Sequence, residues 1–160
     1  MGMAGSEGAT RAFIAALKAE MPAALAAVEA EWADGIPLPA PADDSYFFVT
    51  KVMLQKWPAV FVIPMPESAK DKDLAGGSDY DFALQVDVIV PAKDQEAAQV
   101  LLWRYWQAVK EVMSVNGILP GYDVTEIEVK WDEPVLTLKG FSEPVRDIPG
   151  LFIVSTTERA

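Results

Sequence analysis

The sequence predicts an α+β fold: a mostly antiparallel sheet of about five to six strands, packed by an N-terminal helix and a second long helix. Three observations carry this. Tyr80 to Val90 alternates, with Tyr80, Phe82, Leu84, Val86, Val88 and Val90 on one side and Asp81, Ala83, Gln85, Asp87 and Ile89 on the other. That is the period-2 signature of a half-buried strand. Gln95 to Ser114 contains neither Gly nor Pro, follows Asp94 at a natural N-cap position and precedes Gly117, which reads as a long helix. Phe13, Ile14, Leu17, Met21, Leu25, Val28 and Trp32 recur at spacings of three and four, one apolar stripe along a first helix.

Taken in order, Met1–Thr10 lacks the basic-then-apolar order of a signal peptide, and residues 1–9 read as a flexible lead. The first helix begins near Thr10 and closes at Gly35. Pro22 removes one of its backbone hydrogen bonds, so a kink or a break is expected at Met21–Pro22. Gly35 to Asp44 is a Pro-rich extended connector. Tyr46–Leu54 and Ala59–Ile63 read as strands that form an antiparallel meander with Tyr80–Val90. Between them lies Pro64 to Asp79, a long stretch without periodicity, of the kind that is functional or disordered in a compact domain. After the second helix, Val124–Trp131 alternates cleanly, and Val135–Leu138 is a short strand. A Pro-marked connector runs through Pro149-Gly150 to a last strand, Leu151–Thr156. The whole is read as a single domain, 1–160, with 64–79 as its long loop.

Composition excludes more than it includes. There are 13 Lys+Arg against 24 Asp+Glu, a net charge of −11. The acidity is spread along the chain, −5 in residues 1–80 and −6 in 81–160. Such a field repels nucleic acid phosphates and anionic lipid surfaces. The chain has no cysteine, hence no disulfide framework or thiolate chemistry, and the compartment defaults to the cytosol. It has no histidine either, which removes Ser-His-Asp and Cys-His catalysis and most zinc sites. No window is long and apolar enough for a transmembrane helix.

Motifs for chemistry fail on inspection. Asp71-Lys72-Asp73-Leu74-Ala75-Gly76 resembles the start of a calcium loop, but Ala75 and Phe82 stand where oxygen ligands are needed. Gly76-Gly77 follows no strand and opens no helix, so it is no phosphate cradle. Acidic pairs such as Asp43-Asp44 and Asp132-Glu133 arise readily among so many carboxylates, and none sits in an apolar pattern. A Ser-Lys dyad is open in principle, with nothing to mark one. No cofactor, no metal and no enzymatic activity are expected.

The second helix is the more specific feature. Its polar stripe of Glu96, Gln99, Gln107, Lys110, Glu111 and Ser114 carries Trp103 in its middle. Leu101, Tyr105, Ala108 and Val112 face the sheet, and Leu102, Trp106, Val109 and Met113 widen the apolar side beyond one sheet face. Either the first helix covers this surface within the subunit or a second subunit does. The expectation is a subunit interface at Trp103, Arg104, Trp106 and Lys110, since Trp and Arg anchor interfaces.

The order of elements resembles the tail terminator and head-to-tail neck proteins of tailed bacteriophages and prophage-like particles. The resemblance rests on the amphipathic first helix, the Pro-rich entry, the strand ending Pro58-Ala59-Val60-Phe61-Val62 and the long loop. The strand Asp81–Val90, the Pro91–Ala98 passage into the helix Gln95–Met113 and the closing strands complete it. It spans most of the chain and has no diagnostic motif; the length of the Pro64–Asp79 loop and the two helix tryptophans are not typical of it. The resemblance implies a ring of identical subunits, commonly a hexamer, that caps the tail tube and joins it to the head connector and neck proteins. It implies a place in the tail or neck of the virion after assembly in the host cytoplasm. DNA would pass the acidic channel without sticking, and no membrane would be involved. Lys70, Asp71, Lys72, Asp73 and Leu74 would form an assembly loop that orders on joining. The alternative from another class is a small acidic domain acting as a protein-binding adaptor or inhibitor.

Overall fold

The computed structural model describes residues 6–49, 56–64, 70–74, 77–91, 94–114, 122–131 and 145–158. Helix α1 spans Ser6–Trp32, so it starts inside the stretch expected to be a flexible lead; residues 1–5 lie outside the described ones. Phe13, Leu17, Met21, Leu25 and Val28 are all buried, one face at helical spacing. Pro22 does not divide the helix. It sits on the exposed side together with Lys18, whose carbonyl loses its helical donor there and can turn to water instead. The helix ends with Ala33 N–H donating to the Glu29 carbonyl at 2.9 Å. Ala33 and Gly35 then take positive φ values of 49° and 78°, the left-handed turn that closes many helices.

The chain continues through a turn at Asp43–Ser45 into β1 (Tyr46–Phe47), β2 (Ala59–Pro64), β3 (Lys70–Leu74) and β4 (Gly77–Pro91). Helix α2 (Gln95–Ser114) follows, then β5 (Tyr122–Trp131) and β6 (Val145–Glu158). The strand order is β1-β2-β4-β6-β5, with β3 also paired to β4. β4 is the axis. β6 runs antiparallel along it from Asp79↔Thr157 to Pro91↔Val145. On its other flank β2 pairs with Leu84–Ile89 and β3 with Gly77–Asp81. β5 closes the far side, antiparallel to β6, with a bulge between Val124 and Glu126.

α+β is the class, but the expected mostly antiparallel sheet of about five to six strands, with 46–54 and 59–63 in a meander, is corrected. β1 runs parallel to β2, Tyr46 opposite Val60 and Phe47 opposite Phe61, so the sheet is mixed. The described side chains that the sheet gives to the core clusters come from three of its strands, β1, β2 and β4. The reason is the connection. Parallel neighbours need a crossover of about a dozen residues instead of a hairpin, and 48–58 provides one; strand structure stops at Phe47, with Phe48 and Val49 exposed. Residues 50–55, expected as strand end and turn, lie outside the described ones.

Two further expectations change. The loop 64–79 is not aperiodic throughout, because Lys70–Leu74 forms β3, antiparallel to the start of β4 with Leu74 opposite Gly77. Pro149-Gly150 is not a connector but lies within β6, paired with Asp87 and Val86. Gly150 is paired on both its sides, with Val86 of β4 and Trp131 of β5, and this draws the dipeptide into the ladder despite the proline. The strand expected at 135–138 lies outside the described residues.

Both helices cover one face of the sheet and each other. Val60, Val62, Leu84, Val86, Val88 and Val90 meet α1 and α2 in one apolar cluster. The reading of β4 as half-buried is also revised: Asp87 and Ile89, on the other face, are buried too. There Ala59, Phe61 and Ile89 form a second cluster, flanked by Phe47, Trp57 and Ile63. Phe47 and Phe61 meet edge to face at 5.8 Å between ring centroids, a favoured aromatic geometry.

Candidate functional site

α2 begins as the sequence predicts. Asp94 Oδ1 accepts the Ala97 N–H at 3.1 Å, satisfying one of the donors a helix start leaves open. From there the helix divides its residues sharply. Leu102, Tyr105, Trp106, Val109 and Met113 are buried in the core, whereas Trp103 is 54% exposed and Lys110 is exposed. Trp103, Gln107 and Lys110 follow at i, i+4 and i+7 and so form one outward line.

α1 settles which side is which. Its C-terminal end lies along this turn of α2, where Arg104 binds both carboxylate oxygens of Asp34. The guanidinium also lies over the Trp32 ring, 4.9 Å from its centroid, a cation–π contact. Trp32 Nε1 donates to Gln107 Oε1 at 3.3 Å, and Gln107 Nε2 donates to Glu31 Oε2 at 2.7 Å. The Arg104 hydrogen bonds hold the Asp34 carboxyl down to about 2, and Asp34 in turn raises the Arg104 pKa further. The connector after α1 is tied down as well. Leu38 N–H donates to Glu29 Oε1, and Tyr105 Oη donates to the Pro39 carbonyl. Burial raises the Tyr105 pKa, with the nearby Glu29 charge adding to it.

The four residues expected at a subunit interface are thus not equivalent. Arg104 and Trp106 are buried within the subunit, engaged by α1 and the core, because the first helix supplies the cover that a second subunit was expected to give. Trp103 and Lys110 remain outside. Trp32 joins them, 53% exposed and held against α2. Its place at the end of an apolar stripe read as core hid it; the signal available was its position in the last turn, where the stripe runs out of sheet to cover. Nothing in the sequence marked Asp34. The expected assembly residues, Lys70 to Leu74, stand on β3, beyond the β4 residues Leu84–Val90 that enter the core.

A second feature lies at the other end of α1. Glu7, Thr10, Arg11, Phe48 and Pro64 line a cavity of about 340 Å³. Arg11 makes an exposed ion pair there with Glu7 at 2.9 Å, and its guanidinium stands 5.4 Å from the Phe48 ring centroid. Among the described residues no group of three His, Cys, Asp or Glu side chains is placed to hold a metal ion. Nor is any described helix long and apolar enough to cross a membrane.

No family model and no curated protein matches this chain. In fold it is similar to a solved chain described as "Virion of native gene transfer agent (GTA) particle", with a TM-score of 0.53 and 16% identity, covering 83% of this chain and 93% of that one. At that identity the likeness is one of fold.

Proposed function

We propose that this chain is a non-enzymatic structural subunit of a phage-like particle, and within it a tail terminator or neck protein. The observation that carries the reading is the fold similarity to a gene transfer agent virion chain, which extends over 83% of this chain and 93% of that one. The chain would form a homo-oligomeric ring, commonly a hexamer in such proteins, that caps the tail tube and meets the head connector. Its place is the virion, reached by assembly in the host cytoplasm. The net charge of −11 fits a channel wall along which DNA slides without binding, because like charge suppresses phosphate contact. The β3–β4 hairpin is the element offered to the tube or the adjoining ring, and the exposed line of Trp103 and Lys110 is offered to the neighbouring subunit.

The test is the mass in solution by light scattering across a concentration series. A discrete ring of about six subunits, the number common among such proteins, is the expected result. A clean dimer at every concentration would exclude the ring and favour an acidic protein-binding adaptor. Deleting Lys70–Gly77 should leave a folded protein that no longer joins tails; unimpaired joining would remove the hairpin from the assembly role.

A further inference from the structure

Among the described residues the large exposed apolar side chains fall into two groups. Trp32, Ile36 and Trp103 lie where the end of α1 meets α2, and Phe48 and Val49 lie beside the cavity at the start of α1. Arg11 and Trp32 sit near opposite ends of one continuous helix, about 30 Å apart at the rise of an α-helix. The two patches differ in kind. One presents indoles on a rigid support: Trp32 is fixed by Arg104 and Gln107, and Trp103 is on the same turn of α2. The other is concave.

We infer that copies of this chain associate head to tail, the Trp32–Trp103 surface of one seated on the cavity bounded by Arg11, Phe48 and Pro64 of the next. The inference rests on the ring reading above and names the contact that would build it. The cavity's 340 Å³ is at the small end of the roughly 300–1,000 Å³ typical of ligand pockets, suited to one large side chain. Arg11 already lies against one aromatic ring and offers the same chemistry to an incoming indole. Each rim carries an exposed acid and an exposed base, Glu31 and Lys110 beside the tryptophans and Glu7 and Arg11 beside the cavity, so docking can set Lys110 against Glu7 and Glu31 against Arg11. Trp32, held in place before contact, loses little conformational freedom on docking. Because the two patches are different surfaces, the contact is heterologous, and it closes into a ring or runs on as a filament according to its rotation.

The experiment uses two full-length variants at exposed positions, Trp103→Ala and Phe48→Asp, with circular dichroism to check that each folds. Wild type should form the ring, and each variant alone should fall to monomers. An equimolar mixture should give heterodimers and nothing larger, since only one intact contact can form, between the indole surface of the Phe48→Asp copy and the cavity of the Trp103→Ala copy. The absence of cysteine permits a second readout. Lys110→Cys and Glu7→Cys variants, mixed with a short bismaleimide, should cross-link to each other far more than either does to itself. If wild type forms the ring and both surface variants keep it, the contact is wrong and the ring reading stands. A mixture that stays monomeric, or a Phe48→Asp variant that self-associates, also overturns the contact. Wild type that stays monomeric at every concentration removes the ring reading and the contact together.

Discussion

Trp103 and Trp106 stand three residues apart on the same helix and meet opposite fates. Trp106 is 3% exposed inside the core, and Trp103 is 54% exposed on the outer line. Both arise from the same excess of apolar residues on α2, and residue type alone does not separate them. What separates them is α1. Its C-terminal end and the connector beyond it bind Arg104, Tyr105 and Gln107, which turns the Trp106 side of α2 inward and leaves Trp103 as the residue past the edge of the cover. A widened apolar face therefore records two jobs at once, an intramolecular contact and a surface that the fold leaves open.

The largest effects should fall on the buried side of that comparison. Trp106→Ala is expected to cost about 3–5 kcal/mol, the range for truncating a large buried aromatic, read as a lowered midpoint in urea. Phe61→Ala should cost a similar amount on the opposite face of the sheet, since Phe61 is 1% exposed in the second cluster. A loss there below about 1 kcal/mol, the level of an ordinary surface change, would mean that the second cluster contributes little.

The next effect is a gain. Pro22 lies on the exposed side of an unbroken helix, where proline costs on the order of 3 kcal/mol relative to alanine. Pro22→Ala should raise the melting temperature, by less than that figure implies if the backbone has relaxed around the ring. Asp94→Ala, at the start of α2, should cost about 1 kcal/mol through the lost cap to Ala97.

How far these features could be read from the sequence depends on whether the signal is local. Asp94 and the extent of α2 follow from capping chemistry and an uninterrupted helical run, and the core stripe of α1 from spacing alone; all are properties of neighbouring residues. The parallel pairing of Tyr46 with Val60 is not local, because it depends on how 48–58 returns the chain. The strand Lys70–Leu74 is charged and short, carries no apolar alternation, and owes its structure to the β4 backbone beside it. Trp103 and Lys110 were legible as an outward line by helical arithmetic, whereas the burial of Arg104 requires Asp34 and Trp32, seventy or more positions away in the chain. The cavity draws on α1, Phe48 and Pro64, and no single stretch announces it.

The Arg104–Asp34 pair gives a finer division of the same surface, readable in pH. Asp34 has its carboxyl depressed from 3.8 to about 2 by the Arg104 hydrogen bonds. A depressed carboxylate adds stability that is fully present above its unfolded pKa and lost as pH falls through the folded one. The stability gap between wild type and Asp34→Asn should therefore be open at about pH 5 and close towards about pH 2. Urea midpoints of both proteins across that window measure it. A gap constant with pH would mean that the pair does not hold the end of α1.

The smallest expected effect on stability is the most informative about function. Trp103→Ala removes a side chain that is more than half exposed, and surface changes of this kind usually stay within about 0.5 kcal/mol. The urea midpoint should hardly move, while the proposed ring should fall to monomers. Trp106→Ala sets the contrast, since it should lower the midpoint first and disturb assembly only through loss of the fold. If Trp103→Ala instead destabilises the monomer as much as Trp106→Ala, the indole packs on its own subunit more than its exposure implies. The line between core and interface on α2 would then have to be drawn on the far side of Trp103.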